Sequence, residues 1–321
     1  MDASELIERV LAGDRRGLAR AISHVEADTT TGRAVLAGLY PRTGRGQTIG
    51  ITGSAGVGKS TLVGRLARAE RELGRTVGIV AVDPSSPFSH GAILGDRIRM
   101  QDLTGDPGVF LRSMASRGSL GGLAEAASGV VDVMDAAGYD VVIVETVGAG
   151  QDEVEVATAT QTTVLVTMPG GGDEVQSMKA GLMEVAQVMV VNKSDLAGAD
   201  TAVAQLRGLL AIAPARAWRT PILKAVAKEG KGLDELVAAI DDHQAHLRAS
   251  EHAAVERSEH AQAQIVSLTR AALQREALQA AAHSGVLAGL VEEVAARRQD
   301  PRAAAAALLD AVRGSWAGAK D

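Results

Sequence analysis

Along the 321-residue chain the spacing of apolar positions changes twice, and these changes divide it into three parts. In residues 3–40, Leu6, Ile7, Val10, Leu11, Leu18, Ile22 and Val25 recur on a helical period, broken near Gly13-Asp14 and again at Ala27-Asp28-Thr29. A loop rich in Pro, Gly and Arg at 40–46 closes this lead-in. From Gln47 onward β-branched runs alternate with helical patterns: QTIGIT (47–52), TVGIVAV (76–82), DVVIV (140–144), TTVLVT (162–167), QVMVV (187–191) and PILKAV (221–226). Such nearly continuous apolar runs predict an α/β fold, a mostly parallel sheet whose two faces are both covered by helices. Beyond Ala249 the pattern is helical throughout, with Ile265, Leu268 and Ala272 on one face and Val286, Leu287, Leu290, Val291 and Val294 on another. The predicted segments are an N-terminal helical segment (1–46), an α/β domain (47–248) and a C-terminal helical extension (249–321).

In a parallel sheet the ligand lies beyond the carboxyl ends of the strands, so the polar residues after each run are the candidates for chemistry. After the first run stand Gly53, Ser54, Ala55, Gly56, Val57, Gly58, Lys59 and Ser60, followed by Thr61 and a helical pattern. This order of strand, G-x-x-x-x-G-K-S loop and helix is that of a phosphate-binding loop. Its glycines let backbone N–H groups turn inward around phosphates, and the helix N-terminus adds partial positive charge. Lys59 is placed to neutralise the β/γ oxygens, and the Ser60 hydroxyl to ligate Mg²⁺.

The other strand ends supply carboxylates and a base-reading element. Asp83, at the start of the Pro/Gly/Ser-rich segment 83–100, is positioned to hold Mg²⁺ directly or through water, or else to cap the turn before Pro84. Asp96 in the same segment is a metal ligand, an orienter of the attacking water, or a solvated loop charge. Glu145, followed by Gly148, has the spacing of a nucleotide sensor: the carboxylate serves the metal and the glycine N–H meets the γ-phosphate. Gln151 is a further candidate for orienting water. The triple glycine in 168–179 suits a mobile functional loop or a plain strand-to-helix connection. Asn192-Lys193-Ser194-Asp195 is the N-K-x-D element of guanine-specific sites. The Asp195 carboxylate accepts two N–H donors from guanine, where adenine offers no matching pair. Asn192 braces the loop and reaches the base, and the Lys193 stem lies over its ring.

Composition narrows the partners. A net charge of −6 and 2% aromatic residues argue against a nucleic-acid surface. The absence of cysteine excludes disulfides, thiolate zinc sites and a cysteine nucleophile, and fits a reducing compartment. The N-terminus carries charges where a secretory signal is apolar, and no apolar run reaches the length of a membrane span, so a cytoplasmic location is expected. His243 and His246 stand three apart on a helical pattern, a spacing that suits a metal but more commonly belongs to solvated histidines.

The ordered blocks G-S-A-G-V-G-K-S-T, D-P-S-S-P-F, E-T-V-G-A-G-Q, P-G-G-G-D-E-V-Q-S-M-K and N-K-S-D closely resemble the MeaB/ArgK family, and the resemblance spans the chain. This family comprises the G-protein chaperones of adenosylcobalamin-dependent methylmalonyl-CoA mutase, within the SIMIBI class of P-loop GTPases. The resemblance implies GTP and GDP as ligands with Mg²⁺, hydrolysis of GTP, a mutase partner and a homodimer joined through the helical tail. It also implies that 83–100 is a first switch, 145–153 a second, and 170–181 a third that couples the nucleotide to the mutase. The last guanine loop usually reads Ser-Ala. Here Ala225, Val226, Ala227 and Lys228 stand there, so Val226 and Ala227 keep a backbone contact to the base while a serine hydroxyl contact is lost. Two other activities compete. A nickel-insertion metallochaperone requires a Cys- or His-rich motif that this chain lacks. A small-molecule kinase would make the N-K-x-D element coincidental.

Overall fold

Two apolar faces on each of the central strands define the sheet. The computed structural model describes residues 1–84, 103, 105–116, 122–146, 159–170, 185–213, 217–249 and 253–318. The strands β1 (Gln47–Thr52), β2 (Val77–Pro84), β3 (Val109–Ser116), β4 (Val141–Glu145), β5 (Thr162–Thr167), β6 (Val188–Val191) and β7 (Ile222–Lys224) form one parallel sheet in the order β3-β2-β4-β1-β5-β6-β7. Ile79 and Ile143 enter one core cluster while Val80, Val142 and Val144 enter another. Neighbouring residues of a strand point to opposite faces, so burial of both faces removes the polar alternation that marks a half-exposed strand.

One face is covered by α4 (Lys59–Glu72) and α7 (Leu233–Ala249), whose Leu62, Leu66, Leu236 and Ile240 pack on Ile49, Ile51, Val164 and Val188. The other face receives α5 (Gly122–Ala136) and the N-terminal helices α1 (Ala3–Leu11), α2 (Arg15–Glu26) and α3 (Thr30–Leu39). Leu6, Val10, Leu18, Ile22, Val35 and Leu39 there meet Val80, Phe110, Met134 and Val142. The lead-in breaks where the periodicity predicts, and the reason is capping. Asp14 accepts from Arg16 N (2.9 Å), and Thr29 from Gly32 N (3.0 Å), so each break satisfies a helix N-terminus. A smaller cluster joins α6 (Ala199–Ile212) to Leu165, Met189 and Val191 through Val203 and Leu206.

The loop at 40–46 is fastened from α5. Buried Asp135 accepts from the backbone N–H groups of Gly44 (2.5 Å), Arg45 (3.2 Å) and Gly46 (2.8 Å), which fixes where β1 begins. Strand β3 is absent from the runs read in the sequence. It lies at the sheet edge, where Val109, Phe110 and Met114 are buried and Arg112-Ser113 interrupts the apolar pattern; Arg112 pairs with Glu26 of α2.

The chain forms two compact units, Met1–Gln264 and Ile265–Asp321. The helices α8 (Ala253–His283), α9 (Val286–Ala295) and α10 (Pro301–Gly318) make the C-terminal region all-helical. No helix among the described residues is long and apolar enough to cross a membrane.

Candidate functional site

The candidate residues that the structure describes gather at the carboxyl edge of the sheet. Strand β1 turns at Gly53 (φ +140°) into a loop that passes through Gly56 (φ +82°) and Gly58 (φ +98°) before α4 begins at Lys59. Two of these glycines are required by space as well as by dihedral angle. A Cβ on Gly53 would lie 2.1 Å from the Val166 carbonyl oxygen, and one on Gly58 would lie 2.5 Å from Nδ2 of Asn192. The loop therefore presses against β5 on one side and the start of the N-K-x-D segment on the other. Ala55, Gly56 and Thr61 remain exposed, and Ser54 is half-buried.

Lys59 is 6% exposed, and its ammonium donates to the carbonyl oxygens of Gly53 (2.5 Å) and Ser54 (2.9 Å). A buried cation needs such acceptors. These contacts hold the ammonium inside the loop. The Ser60 hydroxyl, in the first turn of α4, donates to Oε1 of Glu145 at 2.5 Å. Glu145 is the last residue of β4 and pairs in register with Ile51 of β1 and Ala81 of β2. Asp83 follows two residues after Ala81 on β2, so its backbone stands at this same edge. Asp96, Gly148, Gln151 and the charged stretch 173–179 lie outside the described residues.

The base-reading candidates close the other side. Asn192 is 2% exposed and uses both ends of its amide: Nδ2 donates to the Val57 carbonyl (2.8 Å), and Oδ1 accepts from the Ala227 N–H (3.0 Å). It thus joins the phosphate loop to the 225–228 loop. Lys193 adopts a left-handed conformation (φ +54°), and its ammonium donates to the Gly56 carbonyl (2.8 Å), so its stem runs across the phosphate loop. Ser194 N donates to the Ala225 carbonyl (3.0 Å), and Asp195 projects an exposed side chain. The Lys231 ammonium is held above its ordinary pKa mainly by a 2.7 Å pair with Glu229 and, in smaller part, by the charge of Asp195. Val226 is bridged to Lys231, and Ala227 opens a short 3₁₀ turn. Sequence reading did not single out Arg65 of α4, whose Nη2 donates to the Lys228 carbonyl (2.9 Å). A lone arginine on an amphipathic helix carries no local signal of such a contact.

The histidines sit elsewhere. His243 of α7 shares a hydrogen bond with Thr162 Oγ1 (2.8 Å) at the amino end of β5, opposite the carboxyl edge where the other candidates gather. Trp218 meets its ring edge-on at 4.9 Å, and burial, with His246 nearby, pushes its pKa down to about 4. This is a packed, neutral histidine bound to a threonine.

The donor set at the sheet edge fits a nucleoside triphosphate with a divalent cation. It offers a backbone cradle, a buried ammonium, a hydroxyl paired with a carboxylate, and a carboxylate on the base side. The profile of the family described as methylmalonyl Co-A mutase-associated GTPase MeaB matches residues 18–282. A Pyrococcus abyssi protein is 43% identical over 314 residues, covering 97% of each chain. The GTPase ArgK of Escherichia coli is 39% identical over 257 residues, covering 77% of each. A solved structure described as an LAO/AO transport system kinase superposes with a TM-score of 0.73 at 28% identity, covering 97% of both chains, and shares the SIMIBI P-loop fold. The chain belongs to the MeaB family of methylmalonyl-CoA mutase-associated GTPases.

Proposed function

We propose that this chain binds GTP, hydrolyses it to GDP and phosphate, and uses the cycle to gate cofactor loading and protect an adenosylcobalamin-dependent acyl-CoA mutase, most simply methylmalonyl-CoA mutase. The observation that carries the reading is the pair of hydrogen bonds made by the Asn192 amide, which ties the phosphate loop to the loop beside Asp195. Phosphate binding and base reading then share one rigid frame. A kinase acting on a small acceptor would leave the N-K-x-D element coincidental.

In this reading the backbone N–H groups of 53–60 receive the phosphates, and Lys59 exchanges its carbonyl partners for β/γ oxygens. Ser60, Glu145, Asp83 and Asp96 are the residues that would hold Mg²⁺, which when bound supplies charge neutralisation on the phosphates. Gly148 N–H meets the γ-phosphate. Gln151 or Asp96 orients the water whose oxygen attacks the γ-phosphorus, the bond to the β-γ bridging oxygen breaks, and GDP leaves. Asp195 reads guanine, while the backbone of Val226 and Ala227, whose N–H groups are taken up by the Lys231 carbonyl and Asn192 Oδ1, lies beside it as a wall of the base site.

A homodimer joined through the helical tail is part of this reading. Within the second unit Ile265 is 64% exposed and Val291 57%, and Leu287, Leu290, Val294 and Leu308 line an apolar groove of about 410 Å³. Apolar surface of this extent calls for a partner, and a second copy is the simplest one. Product analysis tests the activity: release of free phosphate, stimulated by added methylmalonyl-CoA mutase, is expected. A phosphorylated small-molecule acceptor would replace this reading with a kinase, and hydrolysis indifferent to the mutase would remove the chaperone role. The third switch adds a finer expectation: Lys179→Ala lowers mutase-stimulated hydrolysis more than the basal rate.

A further inference from the structure

The loop 225–228 has an unusual difficulty: its first three side chains, Ala225, Val226 and Ala227, carry no polar atom with which to hold its shape. Its geometry is imposed from outside through the main chain. On the inner side Ala225 N donates to the Val191 carbonyl (2.9 Å), Ser194 N to the Ala225 carbonyl (3.0 Å), and Ala227 N to Asn192 Oδ1 (3.0 Å). Downstream, Val226 N and the Lys231 carbonyl pair at 3.0 Å, across a turn that uses Gly230 (φ +77°) and Gly232 (φ +78°). A Cβ at Gly232 would meet the Lys224 carbonyl oxygen at 2.2 Å, so the turn is closely packed.

The outer side is held by Arg65. Its guanidinium donates to the Lys228 carbonyl at 2.9 Å, a charge-assisted bond to the 3₁₀ turn Ala227–Glu229. Arg65 stands five residues after Ser60 on α4, the helix whose first turn carries Lys59. Leu62 and Leu66 of that helix share a core cluster with Ala225, Ala227 and Leu233. One rigid helix therefore presents the phosphate-binding turn at its start and grips the base loop further along. The distance between phosphate and base sites is thereby fixed by a single element.

We propose that Arg65 is a positioning residue for guanine recognition: by holding the Lys228 carbonyl it sets the height at which the 225–228 loop lies against the purine, without itself touching the nucleotide. The proposal rests on the reading of 192–195 and 225–228 as the base-binding loops. It separates base affinity from phosphate affinity, and that separation is measurable with a ligand that has no base.

The test is calorimetry on the full chain with Mg²⁺, using GDP, ADP and inorganic tripolyphosphate, for wild type, Arg65→Met and Arg65→Lys. Methionine keeps an apolar stem and deletes the donors. Loss of one charge-assisted bond is expected to weaken GDP about five- to tenfold in Arg65→Met, with tripolyphosphate unchanged and Arg65→Lys between the two. Unchanged GDP affinity, or equal weakening of GDP and tripolyphosphate, would overturn the positioning role while leaving the guanine site intact. Wild type binding ADP as tightly as GDP would overturn the base-loop reading and this proposal with it.

Discussion

The Ser60 hydroxyl donates to the Glu145 carboxylate across 2.5 Å, joining the first turn of α4 to the last residue of β4. The contact spans 85 residues of sequence and brings together the two side chains proposed above to hold a cation. Glu145→Ala removes this partner and the second candidate ligand. The concentration of Mg²⁺ that half-stabilises the GDP complex is expected to rise about ten- to a hundredfold, read from the release rate of a fluorescent GDP analogue over a Mg²⁺ titration. An unchanged titration would take Glu145 out of the metal site.

Lys59 is buried and spends its charge on the carbonyls of Gly53 and Ser54. Lys59→Ala removes the fixed cation nearest the enclosed phosphates, and nucleotide affinity and hydrolysis should each fall roughly a hundredfold or more. Calorimetry with GTP and a phosphate-release assay measure the two losses. Wild-type values in both would refute the phosphate-loop assignment.

Base choice isolates one hydrogen-bonding pair. Asp195→Asn puts a donor where guanine's N–H groups need an acceptor, so GTP should weaken by about a hundredfold. Xanthosine triphosphate, with a carbonyl in place of the amine, should gain. Competition among GTP, ATP and xanthosine triphosphate on both proteins reads the order directly, and an order unaltered by the substitution would mean that Asp195 does not read the base.

Two titratable groups, buried His243 and half-buried Asp132, give stability opposite dependences on pH. His243 has its pKa depressed from 6.5 to about 4, so the unfolded chain binds the extra proton in this range, and the native state loses stability as pH falls from 6.5 towards 4. Full expression of that shift is worth up to roughly 3 kcal/mol. Asp132 behaves in reverse: burial, with Asp135 beside it, raises its pKa from 3.8 to about 7, so the native state binds the extra proton and stability falls as pH rises through that window. Relative to wild type, His243→Gln should therefore tilt the stability profile downward with rising pH between 4 and 6.5. Asp132→Asn should tilt it upward. Urea unfolding at several pH values checks both slopes, and parallel profiles for all three proteins would show that neither group is titrating as its burial implies.

The sequence by itself determined the elements that depend on neighbours along the chain. Helix breaks at Asp14 and Thr29 are legible because a cap bonds to an N–H two or three residues away. The phosphate loop and Asn192–Asp195 are legible because each is a contiguous segment at a strand end, and their order predicts a shared edge. Only the tertiary structure decided what presses on those segments. That Gly58 must lack a side chain because of Asn192, that Asn192 bonds to Val57 across 135 residues, and that Arg65 holds Lys228 across 163 are products of the strand order β4-β1-β5-β6-β7. A strand buried on both faces carries no alternation that records its register or its neighbours, so Val188–Val191 reads the same beside any partner. Strand β3 escaped notice for the converse reason: an edge strand that spends Arg112 on Glu26 of another element breaks its own apolar run. Local periodicity records which residues seek burial, whereas the choice of the surface that buries them is made by packing between segments far apart in sequence.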